Sequence, residues 1–221
     1  MNQTGIVIAP EFANKMMENT DLTKPPRGDE QALAKVRMEY GKEADPVGTL
    51  PDPQLTGVKA VLMDKLGERL AFERTGTRLY DALIAKCQAA KSDIPAKDLQ
   101  HIRDEEHVHF ALVGAAIQSL GGDPTAQTPA ADVTGVEGMG LMQVLTDPST
   151  TVAQALHAIL VAELADNEAW EELIELTEQA GNEDLVARFE KARDEEMEHL
   201  EKVRAWYKEA TLKGKEATLN G

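Results

Sequence analysis

The chain lacks most features that mark extracellular and membrane proteins. Cys87 is the single cysteine among 221 residues, which excludes an intramolecular disulfide and any module built on paired CxxC motifs. No stretch approaches the ~20 consecutive apolar residues of a membrane-spanning helix. The first ten residues lack the basic region and apolar core of a signal peptide. These absences predict a cytoplasmic protein that does not associate with membranes.

Positive charge is also scarce. The sequence has 23 Lys and Arg residues against 39 Asp and Glu residues, a formal net charge of −16 at pH 7. This balance disfavours binding to nucleic acids or anionic lipids and favours the attraction of cations. The length is compatible with one domain or two small ones.

What the sequence does contain is a repeat. Residues 103–110, RDEEHVHF, recur 90 residues later as RDEEMEHL at 193–200. In each copy a Glu is followed three residues later by a His, and these pairs are Glu106 with His109 and Glu196 with His199. On a helix such a pair shares one face, about one turn apart, so its carboxylate and imidazole can bind the same metal ion.

A third acidic residue extends the repeat. Glu73 and Glu163 each lie among apolar residues, 33 residues before the Glu of the following Glu-x-x-His motif. Their apolar neighbours also recur at the 90-residue offset; for example, Tyr80 corresponds to Trp170. A coincidental match of the short motif would not extend to the flanking residues. We therefore expect a duplicated unit in which each half supplies two helices to one domain.

Apolar periodicity and Gly or Pro breaks predict the elements. We expect long helices over 56–91, 96–120, 151–180 and 183–212, with Gly181 and Asn182 capping the last two. The predicted divisions are an N-terminal arm (1–56) with a short helix at 28–44, a bundle (57–212) and a frayed tail (213–221). The crossover 121–150 is expected to hold only a short helix at 141–145.

Each of the four long helices carries its ligand candidates on the apolar stripe. Because burying a carboxylate costs several kcal/mol unless it is paired or bound to metal, these positions predict a metal layer inside the bundle. In that layer Glu106 and Glu196 would bridge two ions, while Glu73 and Glu163 would each bind one. Mixed oxygen and nitrogen ligands favour Fe or Mn over structural zinc.

The order Glu, Glu-x-x-His, Glu, Glu-x-x-His resembles the ferritin-like di-iron and di-manganese carboxylate proteins over about residues 57–212. It looks most like the rubrerythrin-type branch, because the two halves are so alike. The resemblance implies an all-α, antiparallel four-helix bundle with a long crossover between its second and third helices. It also implies that Glu73, Glu106, Glu163 and Glu196 take part in catalysis. A rubredoxin domain, usual in full-length rubrerythrin, is absent from the sequence, so we expect an external electron donor.

Neighbouring polar residues have alternative interpretations. Glu105 and Glu195 compete as ligands, but we interpret them as acceptors that orient an imidazole N–H. Glu168 is a weaker candidate for an extra carboxylate. The remaining histidines have no His counterpart at the offset and are interpreted as surface residues: His101, His107 and His157. Tyr80 and Trp170 either pass electrons or simply fill the core, and the core interpretation is favoured.

The leading hypothesis is a redox enzyme that binds two Fe ions and reacts with O2 or hydrogen peroxide, as a ferroxidase or peroxidase in iron handling or stress defence. A manganese or mixed Fe/Mn centre, a manganese catalase and a di-iron oxygenase of an organic substrate remain alternatives. So does a non-catalytic storage protein, while a metal-free bundle is disfavoured by the four buried carboxylates. A homodimer is the expected assembly.

Overall fold

The structure is a computed structural model that describes the backbone of residues 55–219 and the side chains of residues 55–212. This part of the chain contains five α-helices and no strand, which confirms the all-α prediction. The helices are α1 (Val58–Ala89), α2 (Ala96–Ser119), α3 (Pro129–Thr146), α4 (Val152–Gln179) and α5 (Glu183–Leu219). Residues 1–54, with the predicted helix at 28–44, lie outside the described range.

Local sequence signals set the helix ends. Thr151 and Gln154 form a capping box at the start of α4. Gly181 follows α4 with a φ of 76°, and the Leu185 N–H donates to Asn182 Oδ1 at 3.3 Å, as the paired cap signal predicts. Helix α5 extends to Leu219, beyond the predicted end at residue 212, and no proline interrupts residues 213–219.

The long helices form two hairpins, α1 with α2 and α4 with α5. Short connections make the helices within each hairpin antiparallel. The hairpins meet through α1 against α4 and α2 against α5, and the crossover between them carries α3. None of the described helices is both long enough and apolar enough to span a membrane.

Helix α3 was under-predicted. It covers 18 residues rather than the five expected, and it packs mainly on α1. The three glycines of this segment suggested irregular backbone, yet Gly138 provides room for close packing, since an added Cβ would lie 2.9 Å from Thr75 Cγ2. The Thr128 hydroxyl caps the helix and also donates to the Asp64 carbonyl at 2.9 Å. These contacts stabilise a helix that propensity alone disfavours.

Candidate metal centre

The bundle core is divided into two apolar clusters. One includes Leu83, Ile102 and Ile159, and the other includes Leu66 and Phe189. Charged and imidazole groups lie between them, each at most 2 % exposed. They are the six predicted ligand candidates and one ion pair: Glu73, Glu106, His109, Glu163, Glu196, His199, Arg69 and Asp166. All six predicted residues are therefore brought into the core.

Three groups of ligand atoms converge in this layer. In the first, the donor atoms of Glu106, Glu163, Glu196 and His199 all lie within 4.8 Å of one another. In the second, Glu73, His109 and Glu196 meet the same criterion, and in the third, Glu73, Glu106, Asp166 and Glu196 do so. Glu196 belongs to all three groups, which is the arrangement that a bridging carboxylate requires.

Both histidines point one ring nitrogen into the centre. Nδ1 of His109 lies 2.6 Å from Glu196 Oε1, and Nδ1 of His199 lies 3.0 Å from Glu196 Oε2. The Nε2 atoms face outward, 3.0 Å from Glu195 Oε2 for His109 and 2.9 Å from Glu105 Oε2 for His199. Glu105 and Glu195 thus contact an imidazole as expected, although each contacts the histidine of the opposite half. Such contacts fix the tautomer and the ring orientation.

Sequence analysis missed a buried ion pair beside these ligands. The Arg69 guanidinium forms an ion pair with the Asp166 carboxylate and donates to the Asp166 carbonyl at 3.1 Å. Its Nε also lies 3.2 Å from Glu73 Oε1. The sequence does contain a signal for this pair. Arg69 precedes Glu73 by four residues and Asp166 follows Glu163 by three, and such spacings place each residue on the same helix face as a ligand candidate.

Glu168, the weaker candidate for an extra carboxylate, has an exposed side chain; the additional acidic residue in the layer is Asp166. The three remaining histidines are exposed, as predicted: His101, His107 and His157.

Tyr80 and Trp170 are buried but have different surroundings. The Tyr80 hydroxyl donates a hydrogen bond to Glu163 Oε1. The Trp170 ring packs edge-on against His109, with 5.7 Å between centroids. Both side chains fill the core, as favoured, and Tyr80 in addition orients a ligand candidate.

Burial dominates the electrostatics of the centre. It raises the pKa of Glu73, Glu163 and Glu196 well above the usual range, and that of Glu106 to a smaller extent. Burial lowers the pKa of His199, but hydrogen bonding and the charges of neighbouring carboxylates outweigh it and raise that pKa to about 9. Without another cation, the layer favours protonated carboxyl groups.

The residues fit two divalent metal ions. Both oxygens of Glu73, Oε2 of Glu106 and Oε2 of Glu163 are buried and have no hydrogen-bond partner among the described residues. Five ionised carboxylates and one guanidinium would give this layer a charge of −4, which two divalent ions offset. Oxygen and imidazole donors without thiolate suit Fe or Mn.

A cleft of about 360 Å³ reaches the centre between α2 and α5. Its walls include the apolar side chains of Val108 and Leu112, and His109 and Glu195 also line it. Arg188 and Lys191 contribute positive charge to its lining. A small molecule could therefore approach one histidine of the centre from this side.

Comparison with known proteins agrees with this geometry. The family model described as a ferritin-like domain matches residues 63–212, which contain all four long helices of the bundle apart from a few terminal residues. The chain belongs to the ferritin-like family.

A solved structure of a ferritin-like, diiron-carboxylate protein from Bacillus anthracis strain Ames has the same fold. The two chains align with a TM-score of 0.55 and 18 % sequence identity, covering 69 % of this chain and 99 % of the other. No curated protein matches the sequence. The family assignment explains why two Glu and two Glu-x-x-His sets meet in one bundle layer.

Proposed function

We propose that this ferritin-like protein is a dinuclear metal oxidoreductase that binds two Fe ions and reacts with O2 or hydrogen peroxide. The supporting observation is the buried layer in which carboxylates and imidazoles converge while several carboxylate oxygens lack a partner. Ferroxidase or peroxidase activity in iron handling or oxidative-stress defence follows from that chemistry. The rubrerythrin-type subtype, the external electron donor, the cytoplasmic location and the homodimer remain predictions.

Each residue set has a defined role in this proposal. Glu163 and His199 would hold one ion, Glu73 and His109 would hold the other, and Glu106 and Glu196 would contribute to both. Two bound iron ions would supply the electrons that reduce O2 or peroxide. Glu105 and Glu195 fix the imidazole orientations through Nε2, and Tyr80 fixes Glu163. The apolar clusters on both sides exclude water from the layer.

Metal content and oxidant preference test the proposal. Protein purified without added metal would be analysed for metal per chain, loaded anaerobically with Fe(II), and mixed with O2 or peroxide while ferric absorbance is recorded. About two Fe per chain and rapid oxidation support the proposal, and the faster oxidant separates ferroxidase from peroxidase. Two Mn with oxygen evolution from peroxide would assign a catalase instead. No bound metal in either preparation would refute the centre.

The cleft beside His109 favours one second candidate, an oxygenase of a small organic substrate. Such an enzyme needs an apolar pocket next to the metals, and Val108, Leu112 and Ala192 line this cleft. Replacement of Leu112 by Trp would fill the cleft from α2. A loss of substrate turnover with unchanged Fe(II) oxidation would support the oxygenase, whereas equal effects on both reactions would count against it.

A further inference from the structure

The two halves of the centre differ in charge at two buried positions. At the 90-residue offset, Arg69 corresponds to Ile159, and Asp166 corresponds to Gly76. Arg69 is 2 % exposed and Asp166 is 1 % exposed. The two charges therefore belong to the core, and the repeat does not extend to them.

Arg69 is fixed on several sides. Its guanidinium is bound to Asp166 through both the carboxylate and the backbone carbonyl. The guanidinium carbon also lies 4.3 Å from the centroid of the Phe72 ring and 5.8 Å from that of Trp170, distances at which cation–π attraction operates. An arginine keeps its charge under all relevant conditions. The α1–α4 side of the centre therefore contains a permanent cation whose Nε lies 3.2 Å from Glu73 Oε1.

The residues at the corresponding positions of the other half, Ile159 and Gly76, carry no charge. Ile159 belongs to an apolar cluster and is fully buried. At Gly76 an added Cβ would lie 2.1 Å from Glu106 Oε2, so the Glu106 carboxylate fills the space that Asp166 fills in the other half. Glu163 receives a neutral hydroxyl donor, Tyr80, rather than a guanidinium.

We propose that Arg69 makes the two metal positions unequal, so that a divalent ion binds first at the Glu163–His199 position and second, more weakly, at the Glu73–His109 position. Glu73 must divide its charge between the guanidinium and a metal, because Arg69 cannot leave the buried layer. The donor atoms at the first position converge without a guanidinium among them, whereas both groups that contain Glu73 lie beside Arg69, which contacts Glu73 and Asp166. Asp166 offsets the guanidinium in total charge, yet its carboxylate is engaged by Arg69 itself. This inference rests on the proposed dinuclear centre.

The order of binding can be measured with Mn²⁺, whose free fraction is counted by electron paramagnetic resonance during a titration. We expect two steps whose dissociation constants differ by at least about tenfold, or ~1.4 kcal/mol. Glu163→Gln should remove the tight step, whereas Glu73→Gln should remove only the weak one. Two equal steps, or the reverse assignment, would overturn the inference while leaving the centre intact. No Mn²⁺ binding at all would overturn both.

Arg69→Met tests the origin of the inequality. Removal of the guanidinium leaves Asp166 and Glu73 free to attract the second ion, so the weak step should tighten about tenfold while the tight step changes less. Arg193→Met is the matched control, because it removes the same charge from a residue whose guanidinium is paired with Glu171 at 2.8 Å on the bundle surface. If both variants bind the second ion equally, Arg69 does not set the order. Circular dichroism would check folding, and the two Glu→Gln variants still decide the order if Arg69→Met does not fold.

Discussion

Substitution of Gly76 by Ala should change metal affinity strongly while changing the stability of the metal-free protein little. This residue lies inside α1, and an added Cβ would lie 2.1 Å from Glu106 Oε2 and 2.9 Å from Glu106 Cδ. Favourable contacts between heavy atoms begin at about 3.5 Å, so Gly76→Ala must move the carboxylate by roughly 1 Å or more. Glu106 is a ligand candidate shared by two of the converging groups. The substitution therefore displaces a ligand without removing it.

Two opposing terms determine the stability of this variant. Replacing a glycine by alanine inside a helix gains about 0.8–1 kcal/mol, whereas forcing a side chain off its rotamer costs about 0.5–1.5 kcal/mol. The metal-free protein should therefore unfold within about 1 kcal/mol of the wild type. Metal affinity should fall by at least about tenfold, since even changes to outer contacts of a metal site cost about 10–100-fold.

Gly140→Ala is the control for Gly76→Ala. Gly140 also lies inside a helix, and an added Cβ there meets nothing within 4 Å. Chemical denaturation of the metal-free proteins would give stability, and Fe(II) or Mn²⁺ titration would give affinity. Gly140→Ala should be more stable by about 0.5–1 kcal/mol with unchanged affinity. If Gly76→Ala binds two ions as tightly as the wild type, Glu106 is not held where a metal needs it.

Three further predictions follow from the same layer. The stability of the metal-free protein should fall as pH rises. The pKa of His199 is raised from 6.5 to about 9 in the folded protein, so the stabilisation from its protonated imidazole is complete below pH 6.5 and is lost as the pH rises through about 9. That one group is worth about 3 kcal/mol, and a melting temperature unchanged between pH 6 and 9 would contradict it. Tyr80→Phe leaves Glu163 Oε1 without its donor, so thermal unfolding of the metal-free protein should show a loss of about 1–3 kcal/mol; an equal melting temperature would argue against this contact. Elemental analysis should find less metal in Glu106→Gln than in Glu105→Gln, and the opposite order would place the ligand register one residue away.

The burial of the six ligand candidates was predictable from sequence because a duplication made the pattern visible twice. One Glu-x-x-His is common on solvated helices, but two copies with an upstream Glu at equal spacing identify core positions. Glu73 and Glu163 also interrupt apolar stripes, and a buried carboxylate needs a partner. The boundaries of the four long helices followed from Pro, Gly and cap signals, with errors of about two residues except at the end of α5.

Contacts between the halves were not predictable in the same way. Periodicity assigns a residue to a face of its own helix, but it does not determine which residue of another helix it meets. The sequence places Glu195 four residues before His199 on the same helix, whereas the packing of α2 against α5 brings it to His109. Arg69 and Asp166 were not predicted because they break the repeat: their counterparts at the 90-residue offset, Ile159 and Gly76, are uncharged. The length of α3 depended on packing against α1, which propensity does not include.

Protons and metal ions can both neutralise the buried carboxylates of this layer. The carboxylates have raised pKa values because an apolar surrounding disfavours their charge, and a proton removes that charge one group at a time. Two divalent ions would remove it collectively and would also contact the carboxylate oxygens that have no hydrogen-bond partner among the described residues. Each ion must displace the protons that its ligands hold, so affinity should rise with pH over the range in which the stability of the metal-free protein falls. The buried layer that should destabilise the empty bundle at high pH is therefore the same feature from which we expect strong metal binding there.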